Sequence, residues 1–158
     1  MHPEVRTFVS QFRTSQFLKV IEIGSRDING SIRDLFPNAQ WIGLDPVAGP
    51  RVDVVVDAAE YTPPDPVDMV ICCEVLEHAK NWEDVLRRGA SWLKPGGWMI
   101  VTCAGFGRDP HSVITPGLPH PGEHYQNRTC QEIEDTLRAA GMKIHQANYL
   151  GATKDVQV

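Results

Sequence analysis

Val20-Ile21-Glu22-Ile23-Gly24-Ser25-Arg26-Asp27-Ile28-Asn29-Gly30, followed by Trp41-Ile42-Gly43-Leu44-Asp45, is the stretch that decides how this chain folds. Leu18 to Ile23 is a short, β-branched apolar run without strict alternation, as expected of a parallel strand covered on both faces. Gly24 ends it, and a residue without Cβ lets the chain turn tightly and lets a ligand approach the backbone. Asp45 closes the next strand about twenty residues on, where a carboxylate can accept hydrogen bonds from both hydroxyls of a ribose. The layout is that of a nucleoside site at the carboxyl ends of parallel strands.

Dinucleotide enzymes share this layout, and their G-x-G-x-x-G loop uses its later glycines to bring a pyrophosphate close to the backbone. Here Arg26 and Asn29 stand at those positions, and Asp27 would repel a pyrophosphate. A nicotinamide-dependent oxidoreductase is therefore the weaker of two nucleoside readings. The bland alternative for Asp45, and for Asp57 further on, is a solvated turn at a strand end.

Outward from this stretch, Glu4 to Phe17 places Val5, Phe8, Val9, Phe12 and Phe17 near helical spacing. Asn29 or Ser31 could cap a short helix running to Phe36, where Pro37 stops it. Val52 to Val56 reads as a third strand and Val67 to Cys73 as a fourth, the most apolar. A helix is expected from Asn81, as N-cap, to Leu93, with Glu83 and Asp84 in its first turn and Lys94-Pro95-Gly96-Gly97 as its stop. Trp98 to Cys103 is a fifth strand, and Ala104 to Arg128 is irregular, rich in Gly, Pro and His. Thr129 caps a helix to Ala140, broken at Gly141. Met142 to Leu150 and Lys154 to Val158 then form an antiparallel hairpin turned at Gly151-Ala152.

Strands alternating with helices describe an α/β domain: a Rossmann-like, mostly parallel, seven-stranded sheet with helices on both faces and an antiparallel last strand. The connections after the second and third strands are too short for full crossover helices, which leaves part of one face thinly covered. With 158 residues and no linker or repeat, 1–158 reads as one domain.

Composition narrows the function. A net charge of −5 argues against general binding to a nucleic-acid backbone, which needs clustered Lys and Arg. Cys72, Cys73, Cys103 and Cys130 lack metal spacing and read as thiols of a reducing, cytoplasmic compartment. No stretch has the length of a membrane span, and no signal-peptide pattern opens the chain.

Five ordered segments carry a resemblance: Val20-Ile21-Glu22-Ile23-Gly24-Ser25-Arg26, Gly43-Leu44-Asp45, Val56-Asp57-Ala58, Glu74-Val75-Leu76-Glu77-His78 and Leu93-Lys94-Pro95-Gly96-Gly97. Together they resemble the class I S-adenosylmethionine-dependent methyltransferases, in the group with E-V-L-E-H and L-K-P-G-G segments. The resemblance covers roughly Val20 to Gly105. It implies S-adenosylmethionine as cofactor, with Glu22, Gly24 and Glu74 at its methionine end and Asp45 at the ribose. It further implies Asp57 and the backbone of Ala58 at the adenine. The first loop departs from the family's G-x-G-x-G, so Ser25 and Arg26 take the place of the usual second glycine.

Methyl transfer from a sulfonium is an in-line displacement that depends on positioning and water exclusion, with a general base for some oxygen or nitrogen acceptors. His124 and then His78 are the candidate bases; Phe106 to Asn127 is the expected cover of the acceptor pocket. His78 reads equally as a capping or satisfied polar residue. His120, Glu123 and His124 lack the helical context of a metal site, so no metal is expected. The acceptor is expected to be a small molecule. A cofactor-binding module without catalysis, or a partner subunit, is the rival from another class.

Overall fold

The computed structural model describes residues 3–114 and 117–158, so residues 115 and 116 of the expected pocket-covering segment lie outside the described residues. Seven strands form one sheet: β1 Lys19–Ile23, β2 Gln40–Asp45, β3 Val54–Val55, β4 Val67–Cys73, β5 Leu93–Ala104, β6 Asn148–Leu150 and β7 Asp155–Gln157. Their order is β3-β2-β1-β4-β5-β7-β6. The first five strands pair in parallel, with Ile21 of β1 flanked by Ile42 of β2 and Val70 of β4. β7 runs antiparallel between β5 and β6, as expected of a closing hairpin. The chain leaves β1 towards one edge and β4 towards the other. The carboxyl ends of β1 and β4 therefore flank the crevice where such sheets bind ligands.

The unalternating apolar runs are explained by cover on both faces. Ile21, Ile23, Val70, Cys72 and Val101 pack beneath α2 (Trp82–Ser91) and α3 (Cys130–Ala139), through Val85, Leu86, Ile133 and Leu137. The alternate residues Val20, Met69, Ile71 and Ile100 pack against Val5, Phe8 and Val9 of α1 (Pro3–Ser10), and against Leu35 and Phe36. Between β1 and β2 the crossover is a single 3-10 turn, Arg33–Leu35, and between β3 and β4 another, Ala58–Glu60. The turn after β3 is the reduced connection expected there, whereas the one after β1 stands where a short helix through Phe36 was expected.

Several boundaries differ from expectation, each for a local reason. α1 ends at Ser10 rather than Phe17. Gln11, Phe12 and Arg13 donate to carbonyls three residues back, and Gln16 N–H donates to Thr14 Oγ1, a local bond that competes with the helix. Phe12 still reaches the sheet, 5.7 Å from Trp98, whereas Phe17 is 67% exposed. Ser31 rather than Asn29 accepts from the turn that follows, at Arg33 N–H. β3 keeps only two of its five expected residues.

β5 begins at Leu93 rather than Trp98. Lys94-Pro95-Gly96-Gly97 does not end pairing but forms a bulge, with Gly96 at φ 80° and a register shift opposite Val67 and Met69. α2 ends at Ser91, and Asn81 stands at its N-cap position without capping through its side chain. Thr129 does cap α3, in a capping box with Glu132, and Gly141 follows at φ 85°. The closing hairpin is shorter than expected, with β6 starting at Asn148.

Candidate active site

At the end of β1, Gly24 takes φ 72°, and its N–H and that of Ser25 both donate to Leu44 O at the end of β2. A Cβ on Gly24 would lie 2.2 Å from Val75 Cγ2, so the loops after β1 and β4 touch only because this residue has no side chain. Ser25 is 3% exposed, and its Oγ is buried without a hydrogen-bond partner. Arg26 N–H points to Asp45 Oδ2 at 3.4 Å, and its guanidinium reaches Val113 O in the long irregular segment at 3.3 Å.

Asp45 Oδ1 accepts from Val47 N–H at 2.8 Å, so this carboxylate also organises the turn after β2. Asp57 caps the Ala58–Glu60 turn through Ala59 N–H, and its other oxygen accepts from Asn81 Nδ2 at 2.9 Å. That bond is where the Asn81 side chain goes instead of capping α2. Ala58 is buried behind it.

Glu22 is buried near the end of β1, and its Oε2 accepts from Arg33 Nε at 2.8 Å. Burial pushes its carboxyl above the usual range, and Arg33 opposes that shift. Arg33 also lies 5.1 Å over the Trp41 ring and donates to Arg51 O. Glu74, immediately after β4, sits at φ 58°; its Oε1 accepts from Thr102 Oγ1 while Oε2 is buried without a partner. Burial, then the nearby Asp155, raises its carboxyl.

A second cluster lies beside Glu74. Glu77 is fully buried, both of its carboxylate oxygens lack partners, and burial followed by Glu74 pushes its carboxyl upward. The His78 ring stands at 5.1 Å from that of His111 and 5.4 Å from that of Tyr125. His111 and Tyr125 are 4.9 Å apart, which closes a three-ring cluster. Burial, then His111, lowers His78 to about 4, so it is a neutral imidazole near pH 7. Burial raises the Tyr125 phenol, whose oxygen lacks a partner. His124 Nε2 is likewise buried and unpartnered, and burial lowers that imidazole too. Asp155, fully buried at the start of β7, accepts from Arg108 at 2.5 Å.

Glu22, Gly24, Ser25, Arg26, Asp45, Asp57, Ala58 and Glu74 thus all lie at one end of the sheet, in or just beyond β1 to β4. Glu22 and Asp57 are already engaged by protein groups. Glu123, between His120 and His124 in sequence, accepts from Ser112 Oγ, Val113 N–H and His120 N–H, and so pins the loop. Glu77, His111, Arg108 and Asp155 were not candidates. Glu77 carried a signal, an acid inside a buried turn next to His78. Asp155 carried none, since it reads as the polar start of a terminal strand. A separate concavity of about 340 Å³ opens by Phe106, Arg128 and Tyr149, away from the Asp45 side of the sheet. The four cysteines are free, and burial raises the thiols of Cys72 and Cys103. Among the described residues no helix is long and apolar enough to cross a membrane.

Comparison with known proteins agrees with this architecture. A sequence profile described as a methyltransferase domain matches residues 3–147. The ubiquinone biosynthesis O-methyltransferase of Marinobacter nauticus is 32% identical over 114 residues, covering 63% of this chain and 47% of that protein. The chain therefore spans less than half the length of this curated relative. The fold matches that of the Burkholderia thailandensis 1,6-didemethyltoxoflavin-N1-methyltransferase, solved with 1,6-didemethyltoxoflavin and S-adenosylhomocysteine. That likeness has a TM-score of 0.72 at 15% identity, over 98% of this chain and 75% of the other. The [4+2]-cyclase SpnF shares the fold as well, with a TM-score of 0.69 at 20% identity over 96% of this chain and 61% of the other. By sheet order, strand-end segments and the profile match over most of its length, this chain belongs to the methyltransferase-domain family, within the class I S-adenosylmethionine-dependent methyltransferases.

Proposed function

We propose that this chain transfers the methyl group of S-adenosylmethionine to a small-molecule acceptor, with the cofactor lying across the carboxyl ends of β1 to β4. The observation that carries the reading is the pair of orphaned polar atoms there, Ser25 Oγ and Glu74 Oε2, on either side of the Gly24 turn. Buried polar groups without partners are costly and rare, and a polar ligand laid along this crevice would satisfy both. The cofactor supplies an electrophilic methyl on a sulfonium, and its cationic amine and sulfur suit a site with buried carboxylates.

In this reading the bare backbone at Gly24, with Ser25 and Arg26, meets the methionine end, and Glu74 accepts hydrogen bonds there. Asp45 keeps one oxygen on its own turn and turns the other to the ribose. Asp57 and Ala58 border the adenine, with Asn81 fixing the Asp57 carboxylate. Glu22 acts from beneath, through the ion pair that anchors Arg33 under the loop. The segment from Phe106 to Asn127, tied back by Glu123 and Arg26, excludes water from the acceptor. His124 and His78, both neutral near pH 7, are the groups able to accept an acceptor's proton. A small acceptor is supported by the relatives' names, which refer to ubiquinone biosynthesis and to 1,6-didemethyltoxoflavin, and by the net charge of −5.

Calorimetry with S-adenosylhomocysteine and with a nicotinamide dinucleotide tests the cofactor assignment; tight binding of the dinucleotide alone would overturn it. Release of S-adenosylhomocysteine across a panel of small hydroxyl and amine acceptors tests catalysis. Firm cofactor binding with no turnover on any acceptor would favour a non-catalytic binding module.

A further inference from the structure

The concavity of about 340 Å³ beside α3 is walled by three separate parts of the chain. Phe106 follows β5, Arg128, Cys130 and Gln131 lie at the start of α3, and Tyr149 stands on β6, at the edge of the sheet. Tyr149 Oη donates to Phe106 O at 2.8 Å and ties these two residues together. A Cβ on Gly105 would lie 2.9 Å from Tyr149 Cε2, so bare backbone there lets the Tyr149 ring lie against the end of β5. Phe106 is 79% exposed, a large aromatic surface left in water. Ligand pockets run from roughly 300 to 1,000 Å³, so this one has room for a ligand of about one ring.

Arg128 is 3% exposed, yet no carboxylate stands at ion-pair distance from it among the described residues. Burial draws its guanidinium below the usual value, and Glu132, Glu77 and Glu83 oppose that shift only from longer range. The guanidinium lies 4.8 Å over the Trp82 ring, and Nε donates to Leu76 O across a long 3.4 Å. Stacking on a ring leaves the donor edge of the fork free, and the two Nη atoms donate to no described group. A buried charge without a counter-ion is costly. Beside it, the N–H groups of Cys130 and Gln131 open α3 and have no intrahelical acceptor, while Thr129 Oγ1 takes Glu132 N–H. Glu134, also on this wall, has its carboxylate paired with Arg138.

We propose that this concavity binds a small aromatic carboxylate, whose anionic end meets Arg128 and the start of α3 and whose ring lies on Phe106 and Tyr149. A guanidinium fork matches a carboxylate in two parallel hydrogen bonds, and an aromatic wall favours a ring in stacked or edge contact. An inorganic anion would leave Phe106 in water, and an uncharged ring would leave Arg128 without a counter-ion. No lining residue belongs to the group assigned to S-adenosylmethionine, so the site rests on no part of the methyltransferase reading.

Calorimetry and saturation-transfer NMR on the full chain with sodium benzoate should show one saturable site. Benzamide, which keeps the ring without the charge, and acetate, which keeps the charge without the ring, should each bind about tenfold more weakly or worse. Phe106→Ala and Arg128→Met should each weaken benzoate binding by a similar factor, with circular dichroism checking the fold. Phe106 is exposed, so that variant and the benzamide comparison decide the matter even where Arg128→Met does not fold. Saturating S-adenosylhomocysteine should leave benzoate affinity unchanged. The site is overturned by no saturable benzoate binding, by equal binding of benzamide or acetate, by unchanged affinity in folded Phe106→Ala, or by displacement with S-adenosylhomocysteine. Absence of benzoate binding alongside firm S-adenosylhomocysteine binding would end this proposal and leave the methyltransferase reading standing.

Discussion

Glu22 Oε2 and Arg33 Nε meet at 2.8 Å directly below the loop that follows β1, with both side chains largely buried. A carboxylate placed by sequence at the methionine end of a cofactor is thus already part of the scaffold. Removing one partner of such a pair strands the other charge in a dry site, a loss of about 3 kcal/mol. Arg33→Met should lower unfolding stability by about that amount in urea titrations, and Glu22→Gln, which keeps a hydrogen-bonding group, by less. A loss under about 0.5 kcal/mol for Arg33→Met would show the pair to be incidental.

Gly24→Ala should cost about 2 kcal/mol from two separable sources. The φ of 72° penalises any Cβ by about 1 kcal/mol, and the new methyl would overlap Val75 Cγ2. In a double-mutant cycle, Val75→Ala should restore the second part and not the first. Strict additivity of the two changes would mean that the loops after β1 and β4 do not press on one another.

Asp68 links the starts of β1 and β5 to β4. Its carboxylate accepts from Lys19 N–H at 2.8 Å and from Lys94 Nζ at 2.6 Å, and these bonds hold its carboxyl below the usual range. A depressed folded value means that stability from this group is fully present above the unfolded value of about 3.9. It is lost as pH falls through the folded value. The stability gap between the native chain and Asp68→Asn should therefore be widest near pH 7 and close in acid. A gap independent of pH would assign the effect to packing.

Much of the fold could be read because its signals are local. Buried parallel strands such as Val67 to Cys73 are continuous apolar runs, and Thr129 with Glu132 announces a helix start within four residues. What could not be read depends on partners distant along the chain. Helical spacing extended α1 to Phe17, but Thr14 and the sheet contact of Phe12 decide where it stops. Lys94-Pro95-Gly96-Gly97 has the composition of a stop, yet β4 alongside it makes it a bulge. In the candidate site, Gly24, Asp45 and Glu74 were legible as strand-end residues. The engagement of Glu22 by Arg33 and of Asp57 by Asn81, and the meeting of Glu77 with His111, follow only from tertiary packing.

Asp45 separates a turn residue from a ligand-binding one. Its Oδ1 accepts from Val47 N–H at 2.8 Å, whereas Oδ2 has only the long contact of 3.4 Å from Arg26 N–H. If the turn were its whole role, Asp45→Asn, which retains an amide oxygen for Val47, would be nearly silent. If the carboxylate also receives the ribose hydroxyls, the amide's N–H₂ group cannot accept the second of them. Asp45→Asn should then lower S-adenosylhomocysteine affinity at least tenfold, or about 1.4 kcal/mol, while unfolding stability changes by less than about 1 kcal/mol. Calorimetry and urea denaturation on the same preparation measure both quantities. Equal loss in each would make the residue structural, and unchanged affinity would remove the ribose from this strand end.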